Sequence, residues 1–434
     1  MPPKKRRSAH PPSKNLILNQ FNDLWVSLFR PYTRLDSLLS RVPDESKAIL
    51  SKVVPWMLRA PCSLAEEVHV AAASPWRIPP AERADWPSAR LLAQKLIDLL
   101  IEDPNWKPQS CTDERDFPPL FVDEWKATWG NELTAQLCRD LGCPPPLSLR
   151  VSKQWGTTRV LDQLETPARA SSFAPFGLVY EDYTPVMKSR AYVEGGFEIQ
   201  DEGSQWMSLF ALWPEIYGPL LALHPYRVPP QFPLPLPPKA PSHITVIDTC
   251  AGAGGKTLAL ADAMGGRGKI FAYDVSEVKL RALKKRATRA GLNNIKTLLL
   301  PEDNEAQAIL SFQESAQVVL VDAPCTGWGV LKRNPDIKWK QTPDELNRLP
   351  GVQLRLLETY SVLVSPGGRL VFGLCTLRAS ESIEIVKRFL ERHPDFTQGM
   401  GGFLGPSPCD GFFMQSFERK KKDRSYENQN LGLY

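Results

Sequence analysis

No uninterrupted apolar run in this 434-residue chain approaches the ~18 residues of a membrane span, so no membrane partner is expected. The basic N-terminus lacks the apolar core of a secretory signal, which predicts a chain that is not exported. Cysteine is sparse. The eight present include Cys138 and Cys143, five apart, but no companion pair completes a zinc-type spacing. No metal site is therefore predicted, and reduced thiols in a cytoplasmic compartment (nuclear or nucleolar in a eukaryote) are expected. Charge of one sign is also lacking, and a net +5 names no partner by itself. Its distribution says more: Lys4-Lys5-Arg6-Arg7 and Arg419-Lys420-Lys421-Lys422 put basic clusters near both ends, read as solvated tails or nucleic-acid-binding arms. Apolar and charged contents of 42% and 23% are those of a soluble globular protein. The length predicts two or three domains.

Residues 1–14 read as a disordered basic tail. Residues 15–117 carry apolar side chains at helical spacing, among them Phe21, Leu24, Trp25 and Leu28, then Leu50, Val53, Val54 and Met57, then Leu92, Leu96 and Leu100. A small all-helical domain is predicted there. Residues 118–200 open with two helical stretches that end at Cys143-Pro144-Pro145-Pro146. A strand over 147–151 then starts a small α+β module.

Residues 201–423 form the largest segment, beginning with a helix over 206–217. A loop over 224–242 carries eight prolines and reads as an extended surface segment. Strands over 244–247, 269–273, 296–300, 318–321 and 369–374 alternate with helices over 257–264, 278–290 and 354–364. That alternation predicts an α/β, doubly wound parallel sheet. A late strand covers 411–418, and 424–434 are a tail. Ligands of such sheets sit at the carboxyl ends of the strands.

One such end carries the most informative run: Cys250-Ala251-Gly252-Ala253-Gly254-Gly255-Lys256-Thr257, two residues beyond Asp248. A strand, a glycine-rich turn and a helix start make a cradle for an anion. A phosphate-binding P-loop needs a glycine where Cys250 stands, and a dinucleotide fingerprint needs one where Thr257 stands. A nucleoside ligand without a pyrophosphate remains, with a carboxylate at the next strand end for its ribose. Asp274 stands there, 20 residues after Gly254. S-adenosylmethionine fits, its methionine part at the glycine turn and its ribose at Asp274. Glu302 or Asp303, after the third strand, is a candidate for the adenine.

The fourth strand ends Asp322-Ala323-Pro324-Cys325, and the fifth ends Phe372-Gly373-Leu374-Cys375-Thr376. Asp322 alone also suits an ATPase magnesium site, but the Pro-Cys that follows has no part in that reading. With strand order 3-2-1-4-5 the two cysteines face one crevice. Two thiols and a carboxylate suit methylation of cytosine at carbon 5, which needs a thiolate added at carbon 6. The loop bearing Lys332, Arg333, Lys338 and Trp339 is expected to face a flipped nucleotide and its phosphates. A non-catalytic RNA-binding assembly factor on the same fold is the alternative from another class.

These motifs resemble those of the RsmB/Sun-type RNA (cytosine-5) methyltransferases. The resemblance is also carried by Gln200-Asp201-Glu202-Gly203-Ser204-Gln205, Arg333-Asn334-Pro335-Asp336-Ile337-Lys338-Trp339, Ser380-Glu381 and Asp410-Gly411-Phe412-Phe413. It implies a class I (Rossmann-like) methyltransferase domain, a small α+β RNA-binding module opened by Leu147-Ser148-Leu149-Arg150-Val151, and an N-terminal all-helical, NusB-like domain. By position it makes Cys375 the nucleophile, Cys325 the residue assisting release, and Asp322 the contact to cytosine. Residues 250–256, Asp274, Asp303 and Asp322 would hold the cofactor. A monomer acting on structured RNA is implied, with ribosomal RNA the expected substrate and transfer RNA the alternative. Two departures stand out: Ala253 replaces the proline of the family's glycine turn, and Leu374 replaces a hydroxyl residue before the nucleophile.

Overall fold

The computed structural model describes residues 12–30, 33–71, 74–75, 80–108, 112–180, 186–221, 235–301 and 304–421. Residues 1–11 and 424–434 of the expected tails, Glu302, Asp303 and most of the proline-rich loop lie outside the described residues, whereas Ser13 and Lys14, expected in the disordered tail, start a helix. The chain forms two units: Met1–Pro144 with Val330–Glu345, and Pro145–Gly329 with Leu346–Tyr434.

The first unit contains helices α1 (Lys14–Leu28), α2 (Leu35–Leu39), α3 (Asp44–Arg59), α4 (Pro61–Glu67), α5 (Ala89–Glu102), α6 (Pro119–Trp129) and α7 (Asn131–Gly142). Ser13 starts α1 by accepting the Leu16 N–H on its hydroxyl. Phe21, Leu24, Trp25 and Leu28 then share a core with Leu92, Leu96 and Leu100 of α5. Buried Asp116 caps α4, accepting the N–H groups of Cys62 and Ser63 at 2.8 and 3.0 Å.

The sequence-based boundary at 118 differs from this division, because α6 and α7 lie in the first unit. Trp125 packs on Phe117, and the Thr112 hydroxyl donates to the Cys138 carbonyl at 2.7 Å. Thr112 occupies the space that a side chain at Gly142 would fill. The chain leaves the unit at Pro144, Pro145 and Pro146, whose missing N–H groups end helical pairing.

The second unit opens with β1 (Leu147–Val151), α8 (Thr157–Leu161), β2 (Arg169–Ala170), β3 (Gly177–Tyr180), α9 (Arg190–Val193) and β4 (Phe197–Ile199). The strands form an antiparallel sheet in the order β2-β3-β1-β4 around Leu149, Val151, Val160, Leu178 and Phe197. Next come α10 (Glu202–Leu212), α11 (Pro214–Tyr217), β5 (Thr245–Asp248), α12 (Gly255–Ala263), β6 (Lys269–Asp274), α13 (Glu277–Arg289), β7 (Ile295–Leu299), α14 (Glu305–Ala308) and β8 (Ala316–Asp322). After β8 the chain passes through α15 (Ile337–Lys340) in the first unit. It returns along α16 (Pro343–Ser361), then β9 (Val364–Leu374), α17 (Ile383–Arg392), β10 (Phe396–Leu404) and β11 (Phe412–Arg419).

The large sheet has the order β10-β11-β9-β8-β5-β6-β7. Strands β7, β6, β5, β8 and β9 are parallel, in the expected 3-2-1-4-5 order, and β11 and β10 add an antiparallel edge. Ion pairs tie the small sheet to the large one. Arg150 meets Asp262 of α12 at 2.7 Å, and Glu198 of β4 binds Arg286 and Arg289 of α13. Two elements depart from expectation. Helix α16 begins at Pro343 rather than 354, running through Pro350. Strand β10 was not anticipated, and the Cβ positions of its Gly399 and Gly401 are filled by Ser416 and Gln415 of β11. Among the described residues no helix is long and apolar enough to cross a membrane.

The loop expected to face RNA behaves differently. Trp339 is fully buried in the first unit's core, its ring 5.4 Å from that of Trp25 and its N–H on the Leu58 carbonyl at 2.9 Å. Lys338, 1% exposed, donates to the carbonyls of Arg59 and Asp116 and lies over the Phe117 ring. Burial lowers its pKa to about 8. Lys332 is buried as well. The indole and the lysine stems supply apolar surface to a helical core, which outweighs their value as a solvated basic loop.

Candidate active site

The site forms where β5, β6, β8 and β9 end. After β5 the backbone turns through Gly252 at φ +55° and Gly254 at φ +90°, conformations that glycine reaches without strain. At Gly254 a Cβ would also lie 2.6 Å from Leu283 of α13, so close helix packing requires glycine there as well. At Gly252 and Gly255 a Cβ would meet nothing within 4 Å. The turn therefore opens onto free space, as a cradle must.

Asp274 sits at the end of β6. Its Oδ2 accepts the Gly252 N–H at 2.8 Å and its Oδ1 the Ser276 N–H at 2.8 Å. The expected ribose acid thus also locks the glycine turn to the next strand end. Lys256, in the first turn of α12, reaches Asp322 at the end of β8, Nζ to Oδ2 2.6 Å. Burial opposes its charge. Asp322 outweighs that, with help from Cys375 and Asp248, and holds the ammonium above the usual lysine pKa. Cys250 is pushed upward by burial and then by Asp322 and Asp248, so it stays a neutral thiol.

Beyond the two strand ends the Sγ atoms of Cys325 and Cys375 lie 3.2 Å apart. The two sulfurs meet different surroundings. The Cys325 thiol is raised well above its ordinary value, first by its hydrogen bond to Cys375, then by burial and the charges of Cys375 and Glu381. Cys325, Cys375, Asp322, Lys256 and the glycine turn are brought together, with Asp274 across the turn. Asp303 lies outside the described residues.

Sequence reasoning gave Glu381 no role. It is fully buried and accepts hydrogen bonds from Thr326 and Thr376, the residues that follow the two cysteines. No spacing rule flags an acid six residues beyond a strand-end cysteine; only its position beside Ser380 in the family motif drew notice. Asp248 was noted only as the acid ending β5. Its Oδ2 accepts the Thr257 hydroxyl at 2.7 Å, while Oδ1 has no partner among the described residues. Burial, aided by the Asp322 charge, raises its pKa to about 7.

A five-strand parallel core in the order 3-2-1-4-5, an antiparallel edge and a glycine turn after the first strand define the class I, Rossmann-like methyltransferase fold. Residues 235–405 match the family described as 16S rRNA methyltransferase RsmB/F. The stretch 235–405 thus carries the pattern of this RsmB/Sun family, one of S-adenosylmethionine-dependent methyltransferases. A probable ribosomal RNA small subunit methyltransferase B of Bacillus subtilis (strain 168) is 31% identical over 304 residues. These are 68% of this chain and 60% of that relative, so the chain spans about 60% of that relative's length. The solved structure of PH0851 superposes with a TM-score of 0.68 at 23% identity, covering 96% of this chain and 100% of that one. NSun6 from Pyrococcus horikoshii, crystallised with SFG, gives 0.57 at 17% identity over 70% of this chain and 99% of its own. At such identities the two structures speak for the fold alone.

The residues present fit the cofactor. The glycine turn leaves open space at Gly252 and Gly255, a carboxylate closes it at Asp274, and a cation–carboxylate pair stands beside it at Lys256 and Asp322.

Proposed function

We propose that this protein transfers a methyl group to carbon 5 of a cytosine in structured RNA, with ribosomal RNA the expected substrate and transfer RNA the alternative. The observation that carries this reading is the pair of sulfurs 3.2 Å apart at neighbouring strand ends, beside the Lys256–Asp322 pair. Carbons 5 and 6 are adjacent in the pyrimidine ring, so a reaction that uses a thiol at each needs two sulfurs this close.

Cys375, as thiolate, adds to carbon 6, and the displaced electron pair makes carbon 5 nucleophilic. Asp322 accepts a hydrogen bond from the exocyclic amine of the base and so orients the ring for that addition. S-adenosylmethionine, held by residues 250–256 and Asp274, supplies the electrophilic methyl group when bound. Lys256 pairs with the neighbouring Asp322 carboxylate at 2.6 Å and orients it. Once carbon 5 is methylated, a base takes its proton, and the freed electron pair restores the 5,6 double bond and expels the Cys375 sulfur as thiolate. Cys325 stands where it can assist that release. Asp303 is the candidate for the adenine.

The test is methyl transfer from labelled S-adenosylmethionine to RNA taken from cells that lack the protein. Cys375→Ala is expected to reduce incorporation to background, and retained activity would remove it as nucleophile. Cys325→Ala is expected to leave enzyme covalently attached to RNA, seen as a denaturant-stable, nuclease-sensitive band. No band with that variant would count against its role in release. Bisulfite sequencing of the same RNA names the cytosine.

A further inference from the structure

The parallel pairing of β8 and β9 runs out at Asp322 and Gly373, so the ladder ends before either cysteine. Something else must set the distance between the sulfurs. The geometry points to Glu381 as the positioning residue that clamps the Cys325 and Cys375 backbones together, an inference that rests on the cytosine reading for its catalytic meaning.

Every contact of this carboxylate leads to one cysteine or the other. Oε1 accepts the backbone N–H of Thr326 at 2.9 Å and the side-chain amide of Gln353 at 2.9 Å. Oε2 accepts the Thr326 hydroxyl and, at 2.6 Å, the Thr376 hydroxyl. The two hydroxyl oxygens are themselves 3.0 Å apart. The Gln353 amide also donates to the Pro324 carbonyl at 3.0 Å, so Cys325 is held from the residue before it and the residue after it. Thr376 holds Cys375 from its C-terminal side, while the Cys375 carbonyl accepts the Gly329 N–H at 3.0 Å.

Glu381, Gln353 and Thr376 have no exposed surface, and Thr326 has 2%. A carboxylate without water needs its donors from the protein, and four are supplied. A buried carboxylate surrounded in this way is held rigidly, and removing one donor leaves the acceptor short. Glu381 touches neither the thiols nor the cofactor turn. Its part is to fix where the two sulfurs stand.

The test uses the full-length chain and compares Thr376→Val, Glu381→Gln and the conservative Thr376→Ser with the unaltered protein. The first readout is closure of the Cys325–Cys375 disulfide by diamide, which takes two electrons and two protons from the thiols, followed by peptide mass spectrometry. Thr376→Val and Glu381→Gln are expected to slow closure about tenfold or more, the scale of one lost hydrogen bond to a buried charge. Thr376→Ser should restore the rate. The second readout is methyl transfer, whose kcat should fall in the same two variants while KM for RNA and for S-adenosylmethionine stays unchanged. A general loss of structure would move both constants and would not be rescued by serine. If Glu381→Gln fails to fold, the isosteric Thr376→Val carries the comparison. Unchanged closure and kcat in Thr376→Val overturn the inference. Absence of methyl transfer in the unaltered protein overturns the cytosine reading instead, and the closure rates still decide the role of Glu381.

Discussion

Asp248 closes β5 with a carboxyl group that water does not reach, and that placement has a thermodynamic sign. Its pKa rises from 3.8 to about 7 because burial penalises the ionised form. The folded chain therefore holds this proton more tightly than the unfolded chain does. The stability it contributes is fully present below pH 3.8 and is lost as pH rises through about 7. Asp248→Asn removes that dependence. Urea midpoints followed by circular dichroism should differ between pH 5.5 and 8 by about 2 kcal/mol less in the variant than in the unaltered chain. An identical pH dependence in both proteins would show that another group controls it. At the same scale the Cys325 thiol is raised well above its ordinary value by its hydrogen bond to Cys375 and by burial.

Short elements deliver the chemistry, and their legibility varied for physical reasons. The β5 strand and its glycine turn were readable because a β-branched run, an acid and obligatory positive-φ glycines occur together. Asp322, Cys325 and Cys375 were readable because each ends an apolar strand. Helix α16 was read short because Pro350 looks like a terminator, yet the helix runs through it. Strand β10 was missed because three glycines erase its alternation, and only β11 explains why they must be small. Glu381 was invisible as a clamp because its partners come from three separate segments. The α15 turn was misjudged because basic residues around a tryptophan look the same whether they meet RNA or a helical core. Trp339→Ala tests the core reading. It removes ring contacts with Trp25, Trp86 and Phe29 and a hydrogen bond to Leu58, and should cost about 3–5 kcal/mol in urea denaturation. A loss below about 1 kcal/mol would mean that the indole contributes little to that core.

On the scale of the whole molecule, the first unit is assembled from two stretches of chain that are 185 residues apart, between Pro144 and Val330. Trp339 and Lys338 from the second stretch occupy its interior. A fragment ending at Pro144 is therefore expected to melt broadly and at lower temperature than the unit does within the intact protein. A synthetic peptide of residues 330–345 should sharpen and raise that transition, read by circular dichroism, and the same peptide with Trp339→Ala should not. A fragment that melts cooperatively without the peptide would count against this wiring.

The excursion after Gly329 has a genealogical consequence. Because the polypeptide exits the sheet at one active strand end and re-enters it before the other, a single crossover between genes cannot exchange the helical part without cutting the loop that follows Cys325. Moving that part intact takes two exchanges, one for residues 1–144 and one for 330–345, so that Trp339 keeps the core it packs in.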